Sequence, residues 1–209
     1  MIKHIQFSLF ILLATLASCT SGNKTNTEKK DSVSIPVETT LIDIAPNNVI
    51  ESFVQAYIEK DNKRVNELIH PELGLYVIYR PGAADTYEKV DSLNFSTPFP
   101  PHFPYTTFEN TYQLAFEKLP EYDCGYDRWD KLGFFCDTTR QADQLSQIAN
   151  FQYEFEEINL TELEKIEQFE EETYRVILTK NENLIFHIKK YKGNWYVVVL
   201  DRAYGWCDA

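Results

Sequence analysis

The segment from Thr173 to Arg202 constrains the fold more than any other stretch of this chain. It holds three runs rich in β-branched and aromatic residues, Thr173 to Thr179, Leu184 to Lys190 and Trp195 to Arg202. Asn181, Glu182 and Asn183 separate the first two, and Lys192, Gly193 and Asn194 the last two. Short polar and glycine-bearing links between such runs are turn chemistry, so the segment predicts an antiparallel three-stranded meander. A meander has an apolar face to bury, and something earlier in the chain must cover it.

The cover is legible upstream. Val49, Ile50, Phe53, Val54, Tyr57 and Ile58 recur at helical spacing after Asn47 and Asn48, which predicts an amphipathic helix to about Lys60. Asp61 has the character of an N-cap for a second helix carrying Val65, Leu68 and Ile69, stopped by Pro71. Gly74 then opens the strand-like run Leu75 to Tyr79, closed by Pro81 and Gly82. Pro98 to Pro104 has too many ring-locked residues for helix or central strand and reads as a loop with aromatic anchors. Residues 105–118 are ambiguous between helix and strand. A further helix from Glu162 to Glu170 carries Leu163, Ile166 and Phe169, with Thr161 as cap and Glu164 as its capping-box partner. No internal repeat interrupts this order, and residues 46–209 read as one α+β domain.

Apolar residues make up 44% of the chain and aromatics 14%, enough to bury a core against the entropy of ordering it. The formal charge is -12, and its negative excess falls on residues 46–209. A body this acidic repels phosphate backbones, which argues against nucleic acid as a partner.

The amino terminus reads as an address. Lys3 precedes an apolar run from Ser8 to Ala17, the layout of a secretory signal and too short for a comfortable membrane span. The run ends in Leu16, Ala17, Ser18 and Cys19, which resembles the lipobox of bacterial lipoproteins. That resemblance implies thioether attachment of diacylglycerol to Cys19, cleavage after Ser18, and a domain held on a membrane outside the cytoplasm. The alternative is an ordinary signal peptide with an incidental cysteine. Stable anchoring takes more than one acyl chain, because each buried methylene contributes about 0.8 kcal/mol. Residues 1–18 are thus expected to be removed. Residues 19–45, rich in Ser, Thr, Asn and Lys, read as a tether in which Pro36 breaks helix, as Pro46 does just beyond it.

The helical segment Phe53 to Ile69 with its Asp61 break, and the closing hairpin ending in Gly193, Asn194, Trp195 and Tyr196, resemble the nuclear transport factor 2-like superfamily. That resemblance implies a cone: a helix pair packed on one side of a curved antiparallel sheet. The same combination resembles uncharacterised lipoproteins that join a lipobox to such a domain.

If Cys19 carries lipid, Cys124, Cys136 and Cys207 remain, and outside the cytoplasm one bridge is expected among them. Short separation favours Cys124 with Cys136, on the order of 3 kcal/mol in the entropy model, though Cys207 can replace either. The spacings lack the C-x-x-C or H-x-x-x-H pattern of zinc sites, and the Asp-rich stretch Tyr122 to Lys131 lacks the D-x-D-x-D-G pattern of calcium loops. No cofactor fingerprint appears. The glutamates from Glu154 to Glu172 read as wet helix faces.

His70 sits at a helix end and His102 in the proline loop, while His4 leaves with the signal. His187 shares a strand face with Ile185 and Lys189, opposite Leu184, Phe186 and Ile188. A polar outer-face position is the plainer expectation for it. In a cone-shaped pocket it becomes a candidate acid or base, with Tyr76, Asp201 or Arg202 as neighbours. Two functions follow: a non-catalytic, membrane-anchored module binding a protein, glycan or small ligand through aromatics, or a small enzyme using His187 and a carboxylate. A purely structural envelope component is the third.

Overall fold

The computed structural model describes residues 45–179 and 183–203. The export segment, Cys19, nearly all of the tether, residues 180–182 and Cys207 lie outside them. The described chain is α+β. In order it forms α1 (Pro46–Ile58), α2 (Asn62–Glu67), β1 (Leu75–Tyr79), β2 (Thr86–Val90), β3 (Leu114–Phe116), β4 (Tyr122–Asp123) and β5 (Arg128–Trp129). Then come β6 (Gly133–Cys136), α3 (Gln144–Glu154), α4 (Leu160–Glu170), β7 (Thr173–Thr179), β8 (Leu184–Tyr191) and β9 (Asn194–Asp201).

Seven strands make one sheet in the order β2-β1-β9-β8-β7-β6-β3, and β4 with β5 forms a separate two-stranded ribbon. The closing meander pairs antiparallel as its turns require, with Arg175 opposite His187 and His187 opposite Val199. The sheet as a whole is not purely antiparallel. β1 lies parallel to β9, and β3 parallel to β6. Parallel neighbours need a long crossover, and both pairs have one: nearly the whole domain separates β1 from β9.

Alternation along the strands divides the buried residues into two sets. Leu75, Val77, Val176, Leu178, Leu184, Phe186, Ile188, Val197 and Leu200 meet Ile50, Phe53, Val54 and Tyr57 of α1 and Val65 of α2. Ile78, Val199 and the bulge residue Val198 meet instead Leu145 and Ala149 of α3 and Leu163 and Ile166 of α4. Helices therefore cover both faces, which corrects the expectation of helices on one side only. An eleven-residue helix pair fits here because β7 presents Arg175, β8 His187 and β9 Asp201 on a face that cannot be left to water without exposing Ile78 and Val199 as well.

Local chemistry explains most of the boundaries. Asp61 caps α2 as its position predicts, its Oδ1 accepting from the amides of Lys63 and Arg64 at 3.0 Å each. Pro46 does not break helix: it is the first residue of α1, where its fixed φ suits the helix and its missing N–H costs nothing. α4 starts two residues before the expected point, because Asn159 rather than Thr161 is the cap. Asn159 accepts from the Glu162 amide at 3.0 Å, and the Glu162 carboxylate reaches back to the Asn159 amide. Gly74, at φ +65, makes the turn into β1 that a side chain would strain.

The proline loop is irregular and anchored, as its composition predicts. Arg202 donates from Nη2 to the carbonyls of Phe103 (2.7 Å) and Pro104 (2.8 Å), and from Nη1 to that of Phe99, while stacking on Tyr105. Tyr105, Phe95 and Phe108 in turn surround Tyr57 of α1. Lys60 reaches into the same aromatic group and donates to the Thr106 carbonyl. Burial, with the Arg202 charge second, pushes its amine down to about 8.

Candidate functional site

On the α3–α4 face the sheet carries a line of polar residues under the helices. Glu170, at the end of α4, is 2% exposed, so one member of the glutamate tract is not a wet face residue. Its two oxygens accept from the amides of Leu145 (2.9 Å) and Ser146 (2.7 Å) in the first turn of α3. Asp143, the residue preceding that helix, makes no side-chain cap, so a carboxylate from a distant helix does the capping.

His187 is fully buried beside this cap. Its Nδ1 stands 3.7 Å from Glu170 Oε1, beyond hydrogen-bond reach, and neither ring nitrogen has a partner. Burial first, and the Arg175 charge second, hold its pKa well below the ordinary value, so the ring is neutral. The outer-face expectation for His187 is thereby corrected: α3 and α4 seal the face it occupies.

Arg175, opposite His187, donates from Nη2 to Asp201 Oδ2 at 2.7 Å. Asp201 is 5% exposed by its side chain and also accepts from the Ala203 amide. Arg175 is the member of this group that reaches solvent. It forms, with Ile177, the floor of a cleft of about 620 Å3. Tyr122 and Trp129 of the β4–β5 ribbon line it, edge to face with ring centres 5.2 Å apart. Asp137, Arg140 and the start of α3 at Gln144 line it as well. Trp129 is steadied by its indole N–H donating to Asn183, 3.1 Å away. Asp137 accepts from the Thr139 amide and hydroxyl, which holds its carboxyl below the usual range and keeps it charged.

Of the residues singled out in the sequence, the structure brings Asp201 to the edge of this site through Arg175. Tyr76 lies on the same sheet face but packs against Phe169 and Tyr87, and burial raises its pKa. Arg202 is away in the proline loop. His187 does not line the cleft. His70 sits between the rings of Tyr191 and Tyr196, its Nδ1 accepting from the Glu72 amide. Cys136 is a free, fully buried thiol, so the expected bridge from Cys124 to Cys136 does not form. Burial and the neighbouring Asp137 push that thiol up to about 12, which makes it inert. Cys124 is exposed at the tip of the ribbon. Among the described residues no three His, Cys, Asp or Glu side chains are grouped to hold a metal ion, and no helix is long and apolar enough to cross a membrane.

The sequence does not single out Arg175, and it marks the stretch holding Tyr122 and Trp129 for its carboxylates, not its rings. A usable signal existed for the first: Arg175 is a charge in the strand run Thr173 to Thr179, in register with the one histidine of the next strand. For the aromatics there was none, because nothing local places residue 129 beside residue 175.

Chemically the cleft offers two aromatic side chains, a guanidinium held by Asp201, a carboxylate bonded to the Thr139 hydroxyl, and side-chain amides. No family model, curated protein or solved structure matches this chain.

Proposed function

We propose that this protein is a lipid-anchored envelope module that binds a glycan, without catalysis, in the cleft floored by Arg175. One observation carries the reading: Tyr122, Trp129 and the charged Asp137 line one open cleft together with an Arg175 guanidinium that buried Asp201 orients. Aromatic faces stack on the apolar faces of sugar rings, and pre-positioned planar groups take their hydroxyls in pairs. The enzymatic alternative is supported less, because His187 is enclosed away from the cleft and bonds to nothing. The test is an array of neutral and carboxylate-bearing oligosaccharides probed with the mature protein. Retention on a defined subset that is lost on Arg175→Met agrees with the proposal. Uniform absence of binding contradicts it.

The anchoring half of the proposal rests on Leu16 to Cys19. Intact mass of membrane-extracted protein should show acyl chains on Cys19, and Cys19→Ser should release the protein from the membrane fraction. In that oxidising setting the sulfurs to join are Cys124 and Cys207, since Cys136 is sealed. The same mass spectrum, before and after reduction, counts the bridge. We also read the body as an elaborated nuclear transport factor 2-like cone. In support stand the helix pair, the β1–β2 hairpin and the closing meander with β1 against β9; the elaboration is the long middle and the α3–α4 pair.

A further inference from the structure

Helix α3 runs from the cleft to a second, unrelated surface at its other end. Of the eight large hydrophobic side chains that are exposed among the described residues, four fall between positions 151 and 160: Phe155 (63%), Leu160 (52%), Phe151 (44%) and Tyr153 (41%). Phe151 and Phe155, one turn apart, pack with ring centres 4.6 Å apart and planes tilted by 43°, forming an aromatic ridge instead of scattered contacts. Beside it is a groove of about 580 Å3 where Tyr153 and Ile158 lie among Glu154, Glu156, Glu157 and Glu162. None of these four carboxylates joins an ion pair with a described residue.

Apolar area concentrated in this way marks an interaction site, and the charge around it selects the occupant. A rim of unpaired carboxylates repels an anionic bilayer surface and a second copy of an acidic chain alike. It attracts Lys and Arg side chains that flank an apolar core, and such rim charges set partner choice and association rate. We propose that the Phe151–Phe155 ridge and its glutamate rim dock a basic amphipathic segment of another protein, its aliphatic side chains on the rings and its cations on Glu154, Glu156 and Glu157. This surface is separate from the glycan cleft and stands or falls independently of it.

The probe is a fluorescent, helix-forming peptide of Lys and Leu, titrated with the full mature protein by anisotropy. Binding should weaken at least tenfold in Phe151→Ser/Phe155→Ser. It should weaken similarly in Glu156→Lys/Glu157→Lys, which leaves the rings and the fold in place, and fall with added salt. Charge reversal at Glu51 and Glu109, elsewhere on the body, should leave it unchanged. Equal weakening by that control pair would mean that net acidity alone attracts the peptide, and would overturn the proposal. So would equal binding of a Glu and Leu peptide, stronger binding of the unacylated Cys19→Ser protein to phosphatidylglycerol vesicles than to the peptide, or a dimer in sedimentation that the serine variants abolish.

Discussion

The two faces of the central sheet are built on different terms. Toward α1 and α2 the strands bury the larger apolar cluster, with the Cys136 thiol in it. Toward α3 and α4 the same strands bury Thr173, His187 and Asp201 and half-bury Arg175, and the helices add Glu170. Buried apolar area stabilises at about 25 cal/mol per Å2, whereas a buried polar group costs free energy wherever it lacks a partner. Glu170 and Asp201 are satisfied by amides and by Arg175; His187 is not. The first face thus gains from apolar burial, whereas the second carries the cost of an unpartnered His187 beside the Arg175–Asp201 pair.

The comparison can be broken in several places. On the apolar face, Phe186→Ala should cost about 3 to 5 kcal/mol, the loss for a buried aromatic that leaves a cavity; urea unfolding measures it. Glu170→Ala, on the other face, should cost about 1 to 3 kcal/mol, because two amides of α3 lose their acceptor, and hydrogen exchange should rise in the first turn of that helix. A third outcome concerns pH. His187 binds a proton in the unfolded chain at its ordinary pKa but not in the folded one until well below it. Stability is therefore complete above about pH 6.5 and falls as pH drops, by up to about 1.4 kcal/mol per unit; urea midpoints between pH 7.5 and 5.5 report it. The smallest effect is expected of His187→Leu at neutral pH, within about 1 kcal/mol, since an unbonded polar ring gives way to an apolar group. The same substitution should flatten the acid slope. If His187→Leu instead proved as costly as Phe186→Ala, the two faces would not differ as argued.

The stable face was also the legible one. β1 and the three closing strands have their pattern and their turns within each segment, and the Asp61 cap contacts amides two and three residues away. The polar face depends on distant partners. The cap of α3 is Glu170, at the far end of α4, while the local candidate Asp143 makes no side-chain cap. β3 and β6 are three and four residues long and pair in parallel across an intervening ribbon, which leaves no periodicity to read. Alternation placed His187 on the correct face, but its burial depends on α3, which the composition of residues 144–154 did not announce. For the same reason the cleft was invisible: its aromatic wall, its floor and its carboxylate come from three separate segments.

On the proposed reading, the cleft binds while the opposite face stabilises. Trp129→Ala tests it most directly, with oligosaccharide affinity and urea midpoint measured on the same preparation. Affinity should fall at least tenfold, since a stacking ring contributes about 1.4 kcal/mol or more, with a midpoint shift far below that of Phe186→Ala. Undiminished affinity in the alanine variant would contradict it.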